Sequence, residues 1–482
     1  MKRTILYAMT AVALLAFATG CGKDFLTKAP VLSQSTELTV ASYDGLNKAT
    51  AGAYYYISTT GWYGSDWVIE SEMRSGNGVK SNYKNSNRST QGYTWNYTKD
   101  NTNTTMWAYC YYTVAMANNV IDNLEGKETS SVTTQDLNNL KAECLFLRAF
   151  AHFETVLLFG QPYTYQPESL GIPYVYHTDP AGKPERETVK TVYENAVADL
   201  LEAEKIIDPE YVRAGVADPL ATVNIYTIQA LLSRIYLYMG EWQKSADYAT
   251  KVINSGKFKM WTAEEYPTVW TADKGSGEVI FEMYGKRTNG AYGSWEDISY
   301  MTSPTGYGDP QVAPSLMAMY AEGDVRLKTF RTDEAGESGC WWTSKYAGKG
   351  DNAAPDCNNV VILRLSEMYL NRAEALVHGA TVPGASAISD LNTITSNRGA
   401  AAYASVGNLD IQNERRKELA WEGHYFFDMA RWGKALTRSA DEYALCTMNL
   451  DVEFPSYKWA LPIPKRERDL NKNLKQNPGY GE

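Results

Sequence analysis

Arg364-Leu365-Ser366-Glu367-Met368-Tyr369-Leu370-Asn371-Arg372-Ala373-Glu374-Ala375 reads as an amphipathic helix. Leu365, Met368, Tyr369 and the following Leu376 share one face, and Glu367, Asn371, Arg372 and Glu374 offer polar partners on its flanks. Ion pairs at helical spacing contribute only about 0.3 to 0.5 kcal/mol each, so these charges are expected to specify the fold and not to do chemistry. The same reading applies to Glu414, Arg415, Arg416, Glu418 and Glu422.

Working outward, helical periodicity extends over 362–377 and resumes over 385–394, a pair of helices. Earlier in the chain Leu145, Phe146, Ala149, Phe150, Phe153, Val156 and Leu157 form another stripe, which stops at Gly160 and Pro162. A further block covers 188–207. Another runs from Ile225 to Met239, breaks at Gly240-Glu241 and resumes with Trp242, Ala246, Ala249 and Ile253 until Gly256. Helix, glycine turn, helix with small alanines at the crossing resembles a tetratricopeptide unit. The units lie far apart, so insertions must interrupt any solenoid.

Two long segments supply those insertions. Residues 58–105 are rich in Ser, Thr, Asn, Gly, Tyr and Trp, and residues 260–358 mix short strand-like runs such as Glu278-Val279-Ile280-Phe281-Glu282 with glycine and aromatics. Long irregular segments in a compact domain are usually functional or disordered, and aromatic richness argues against disorder. The chain carries 35 Tyr and 13 Trp against 12 Phe. Tyr and Trp join a flat apolar face to a polar handle, the chemistry of wet binding surfaces.

At the amino terminus Met1-Lys2-Arg3-Thr4 leads into an apolar run from Ile5 to Ala18 and then Ala18-Thr19-Gly20-Cys21. The run is too short to span a bilayer, so residues 1–20 are expected to be a secretory signal peptide. The small residues before Cys21 look like a lipobox, with Ala18 departing from the commoner leucine. Cys21 is therefore the expected lipidation site, and 21–38 a polar tether from the lipid to a body spanning 39–482. A formal net charge of -10 with no basic run argues against nucleic acid. Of the five later cysteines, Cys340 and Cys357 are close enough to suggest a bridge, and isolated thiols are as good a reading. Four scattered histidines make a histidine-rich metal site improbable, and no EF-hand spacing occurs, so no cofactor is expected beyond a structural calcium held by insert carboxylates.

Four blocks in order then resemble the SusD/RagB family of outer-membrane nutrient-binding lipoproteins: Lys141-Ala142-Glu143-Cys144-Leu145-Phe146-Leu147-Arg148-Ala149-Phe150; the Arg364–Ala375 stretch; Glu414-Arg415-Arg416-Lys417-Glu418-Leu419-Ala420-Trp421-Glu422-Gly423-His424 continuing to Arg431-Trp432-Gly433; and Leu461-Pro462-Ile463-Pro464 with Gln476-Asn477-Pro478-Gly479-Tyr480. The resemblance implies a mostly α fold, with tetratricopeptide-like helix pairs as scaffold and an irregular aromatic-rich lobe with little β. It divides the body into an N-terminal SusD-like region, 39–260, and a C-terminal SusD/RagB region, 261–482. It further implies a lipid-anchored protein of the outer membrane, exposed at the cell surface, that captures poly- or oligosaccharide and delivers it to a SusC-like TonB-dependent transporter.

Glycan recognition needs aromatic faces for the sugar ring and polar groups for its hydroxyls. The first insert offers Trp62, Tyr63, Trp67, Tyr93, Trp95 and Tyr97 among Asp66, Glu70, Arg74, Asn82, Arg88 and Asn96; the second offers Tyr292, Trp295, Tyr300, Tyr307, Trp341 and Trp342 with Asn289, Glu296 and Asp297. The expected ligand contacts are Trp67, Arg74, Asn82, Trp95, Asn96, Tyr292, Trp295 and Tyr300, with Trp95 and Trp295 first. No GxSxG, HExxH, GxxxxGK[ST] or GxGxxG occurs, so an enzyme is not expected. A glycoside hydrolase, a protein-binding tetratricopeptide scaffold and a peptide-carrying transport protein are the rival readings; the last is the hardest to separate, because aromatic platforms bind either cargo.

Overall fold

The computed structural model describes residues 39–80, 83, 86–285, 296–333, 339–349, 358–438 and 451–481. The expected signal peptide and tether, with Cys21, Asn82, Asn289, Tyr292, Trp295, Cys357 and Cys446, lie outside the described residues. In chain order the elements are α1 (Tyr43–Ile57), α2 (Asp66–Ser75), β1 (Gly78–Val79), α3 (Thr90–Thr94), α4 (Thr104–Ile121), α5 (Thr134–Phe159), α6 (Val189–Ile206), α7 (Ile225–Met239) and α8 (Trp242–Asn254). There follow β2 (Val279–Met283), α9 (Ile298–Met301), β3 (Gln311–Val312), α10 (Pro314–Met317), β4 (Phe330–Arg331), β5 (Trp342–Thr343) and β6 (Val360–Arg364). The chain closes with α11 (Leu365–Val377), α12 (Ala387–Ser396), α13 (Asn408–Glu418), α14 (Tyr425–Arg431) and α15 (Lys465–Leu470).

The helices form an array in which each packs on its neighbour: α1 on α4, then α5, α6, α7, α8, α11 and α12. Most begin on side-chain caps. Thr133 and Asp136 close a capping box ahead of α5, and Thr188 and Asn224 cap α6 and α7. Gly240, at φ 75°, supplies the left-handed residue that separates α7 from α8, as the glycine break predicts. Periodicity misjudges one junction. Residues 362–364 belong to β6, paired antiparallel with β2, and the helix starts only at Leu365. A short apolar run reads equally as strand or buried helix turn.

Every residue of α5 from Ala142 through Val156 is buried, so the helix runs through the centre of the array. Its polar side chains must then find partners. Glu143 accepts from Arg213 Nη1 at 2.8 Å and Tyr211 Oη at 2.6 Å, and Arg148 donates to both oxygens of Asp199 at 2.6 and 2.7 Å. Glu154 accepts from Trp62 Nε1 and Tyr63 Oη, each at 2.5 Å, and burial pushes its carboxyl up to about 8.

The charges of the Arg364–Ala375 stretch pair with other elements and not along their own helix, which corrects the expectation of small local pairs. Glu367 takes Arg234 of α7 at 2.6 Å, Arg372 takes Asp390 of α12 at 2.7 Å, and Glu374 takes Arg431 of α14 at 2.5 Å. Asn371 accepts from Arg415 of α13 at 2.7 Å. Glu418 sits at the middle of a fully buried cluster, 2.7 Å from Arg364, 2.8 Å from Arg398 and 3.0 Å from Arg326. These residues specify the fold, as expected, but through buried ties between elements.

The two inserts meet. β1 pairs antiparallel with β3, Gly78 opposite Val312 and Val79 opposite Gln311, and Ile298 N donates to Gly64 O at 2.8 Å. With α14, which packs on α2, they build an irregular lobe beside the helices. Both the β1–β3 pairing and the α8–α11 packing cross residue 260.

Candidate ligand-binding surface

Where the inserts join, one carboxylate organises the surface. Asp309, fully buried, accepts from Lys80 Nζ at 3.1 Å, from Ser86 N at 3.0 Å and Oγ at 2.7 Å, and from Arg88 N at 2.9 Å. Residues 86–88 are thereby fixed in a tight turn with Asn87 and Ser89 at positive φ. That turn projects Arg88 outward. Its guanidinium lies 3.4 Å over the Tyr307 ring and grips Glu296, Nη2 to Oε1 at 2.7 Å and Nε to Oε1 at 2.9 Å. The paired carboxylate holds the Arg88 pKa above its usual range. Tyr307 in turn stands edge-on to Tyr300, centroids 4.9 Å apart at 87°.

The same surface continues past Gly308, whose carbonyl accepts from Trp342 Nε1 at 3.0 Å. Tyr83, 49 % exposed, lies 6.1 Å from the Trp342 ring and donates to Asp333 Oδ2 at 3.1 Å. Trp341, the neighbour of buried Trp342, is 38 % exposed. Exposed or half-buried aromatic rings thus alternate with a bidentate Arg–Glu pair, which gives stacking faces beside both donors and acceptors.

Of the expected contacts, the structure brings Tyr300 into this surface and leaves Asn96 exposed on the segment after α3, where its carbonyl accepts from Gln91 Nε2 at 3.3 Å. Three expectations require correction. Trp67 is buried and stacked on Phe427 at 4.8 Å. Trp95 is buried edge-on to Trp459 at 5.0 Å, with its indole N–H on Arg74 O at 3.2 Å. Arg74 is itself buried, its guanidinium 3.9 Å from the Phe426 ring and 4.8 Å from Trp95. These side chains pack the lobe's interior and present no face to a ligand. Trp62, Tyr63, Tyr93 and Tyr97 are buried with them. Tyr83 escaped the sequence reading, although a lone tyrosine amid Ser81-Asn82 and Lys84-Asn85-Ser86-Asn87 carries the signal of a solvated aromatic.

Among the described residues no group of three or more His, Cys, Asp or Glu side chains is placed to hold a metal ion. Cys110 and Cys144 are buried thiols, and burial raises both. No described helix is long and apolar enough to cross a membrane.

Comparison with known proteins places this geometry in a family. Residues 24–237 match the model described as "Starch-binding associating with outer membrane", and residues 328–480 match that of the "SusD family". The chain is 26% identical over 540 aligned residues to SusD-like protein P2 of Formosa agariphila, covering 98% of this chain and 99% of that one. A SusD superfamily protein of Bacteroides thetaiotaomicron is 31% identical, with a TM-score of 0.80 over 91% of this chain and 100% of its own. Surface glycan-binding protein A of the same organism, solved in complex with laminarihexaose, shares the fold at 21% identity and a TM-score of 0.75, over 91% of this chain and 100% of that one.

Proposed function

Because this chain belongs to the SusD family, we propose that it is a non-catalytic, lipid-anchored cell-surface protein that captures a glycan and delivers it to a SusC-like TonB-dependent transporter in the outer membrane. The observation that supports this reading is the surface of Tyr83, Arg88, Glu296, Tyr300 and Tyr307, whose rings suit sugar faces and whose ion pair suits hydroxyls. The starch-binding description of the matched model favours the same ligand class. Asn82, Tyr292 and Trp295, close in sequence to Tyr83 and Glu296, are proposed as further contacts. Cys21 is the proposed acylation site that holds the chain on the membrane.

Calorimetry against plant, microbial and host polysaccharides and a peptide mixture, with product analysis of each incubation, tests the binding claim. Saturable binding of one glycan class without cleavage is expected. Tyr307→Ala should weaken it by at least about 1 kcal/mol, the scale of one stacking contact. Peptide binding alone would overturn the cargo, and cleavage would overturn the non-catalytic assignment.

A further inference from the structure

Beside that surface stands a second group of rings, on the outer face of two helices. Tyr56 of α1 is stacked on Tyr109 of α4, centroids 5.9 Å apart at 25°, and Tyr112, one turn on from Tyr109, lies 5.2 Å from Tyr56 and 6.2 Å from Tyr109. Tyr112 is 47 % exposed, and Tyr56 and Tyr109 are half-buried. Elsewhere in the helical array tyrosine hydroxyls are committed to carboxylates, as those of Tyr54 and Tyr211 are to Glu143 at 2.5 and 2.6 Å. The hydroxyls of Tyr56, Tyr109 and Tyr112 make no hydrogen bond with another described residue. A chain of contacts joins this ridge to the Arg88–Glu296 pair. The Tyr109 ring covers Gly61, where a Cβ would come within 2.5 Å of it, so a larger residue in the first insert would push the ring away. The turn that follows Gly61 is tied to the second insert by Ile298 N on Gly64 O at 2.8 Å. At the start of α4, Asn103 accepts from Met106 N at 3.0 Å and also hydrogen-bonds the Asp66 side chain. Burial, with Glu70 and Glu296, pushes Asp66 up to about 7, so Glu296 stands within electrostatic reach of the residue that Asn103 holds.

We propose that the Tyr56–Tyr109–Tyr112 ridge is a further subsite for the glycan, which is therefore taken as a chain of several sugars and not as a mono- or disaccharide. The inference rests on the glycan-capture reading and adds to it the length of the cargo. Ring faces with uncommitted hydroxyls match the C–H faces and hydroxyls of a sugar. A protein sealing the ridge from water would have to partner three hydroxyls in one small patch, whereas a saccharide carries hydroxyls along its whole length and leaves the ridge wet. A chain held at Tyr307 presents its next sugars to the ridge at high effective concentration, so the added contact costs little further freedom of motion and affinity rises with length until the ridge is filled.

Calorimetry on the full lipoprotein, in a detergent without a sugar headgroup, tests this with malto-, laminari-, xylo- and manno-oligosaccharides, each as disaccharide, tetrasaccharide, hexasaccharide and parent polymer. In the series that binds, the hexasaccharide should bind at least about tenfold more tightly than the disaccharide, the scale of one added stacking contact. Tyr112→Ala should remove that gain and leave the disaccharide unchanged, whereas Tyr307→Ala weakens both. Tyr112 is exposed, so its variant keeps the fold, and Tyr112→Phe, which retains the ring, should retain most of the gain. Affinity independent of length, or a hexasaccharide sensitive to Tyr307→Ala but indifferent to Tyr112→Ala, overturns the ridge and leaves the proposed function standing. Absence of binding by all four series also overturns the ridge, and the proposed function is then decided by its own wider panel. If Tyr112→Ala spares every saccharide affinity but lessens co-purification of an outer-membrane protein with the chain, the ridge is a protein-docking face and the proposal falls.

Discussion

Trp95 shows what a single residue's sequence context conveys and what it does not. Flanked by Thr94, Asn96 and Tyr97, it has the neighbours of a binding-site aromatic, yet its ring lies 5.0 Å from Trp459 and 5.6 Å from Phe426, residues more than 300 positions away. Local composition reports that a tryptophan has polar neighbours in the chain; only tertiary packing decides which way the ring turns. Replacing Trp95 with Ala should therefore cost about 3 to 5 kcal/mol of folding stability, the scale of a large aromatic removed from a packed interior. Urea denaturation followed by tryptophan fluorescence and circular dichroism measures it. Unchanged stability together with lost glycan affinity would return Trp95 to the binding surface.

Helices were legible as elements because their apolar stripes and glycine breaks are local: the blocks over 188–207 and Ile225–Met239 and the break at Gly240 agree with α6, α7 and the turn before α8. The pairing of β1 with β3 was not legible, since two-residue strands separated by more than 200 positions leave no periodicity to read. The exposed surface depends on that pairing. Asp309 follows closely on Tyr307, precedes β3 and holds the 86–88 turn through four hydrogen bonds from Lys80, Ser86 and Arg88. Asp309→Asn removes the charge that faces Lys80 and puts an amide donor where donors already converge. The turn should loosen, with faster amide exchange at Ser86 and Arg88 and weaker glycan binding, while the far-UV spectrum of the helical array stays constant. Unaltered exchange and affinity would show that the turn holds itself without Asp309.

Across the whole molecule, the buried titratable groups fall into two sets whose pH dependences oppose each other. Glu374, Glu414 and Glu418 are buried yet held below the ordinary carboxylate range by the arginines around them, so their contribution is present above about pH 4.5 and lost as pH falls through their lower folded values. Glu72, Glu154 and Glu282 are raised by burial to about 7, 8 and 8. Between pH 4.5 and those values the folded chain keeps protons that the unfolded chain has released, and stability falls as pH rises. His152, lowered by burial to about 3, and His424, lowered well below 6.5, act in the opposite sense up to about pH 6.5, but the raised carboxyls outnumber them, because burial also lifts Asp66 to about 7. Stability is thus expected to peak near pH 5 and to decline toward pH 8, each unbalanced proton contributing roughly 1.4 kcal/mol per pH unit. Urea unfolding across pH 4 to 9 measures the curve. Glu154→Gln, whose amide oxygen can accept from Trp62 while its NH2 donates to the Tyr63 hydroxyl and which cannot ionise, should flatten the decline between pH 5 and 8 and make the variant the more stable protein at pH 8. A parent whose stability rises steadily from pH 5 to 8, or a variant with the parent's slope, would mean that water or rearrangement solvates the Glu154 carboxylate in the folded chain.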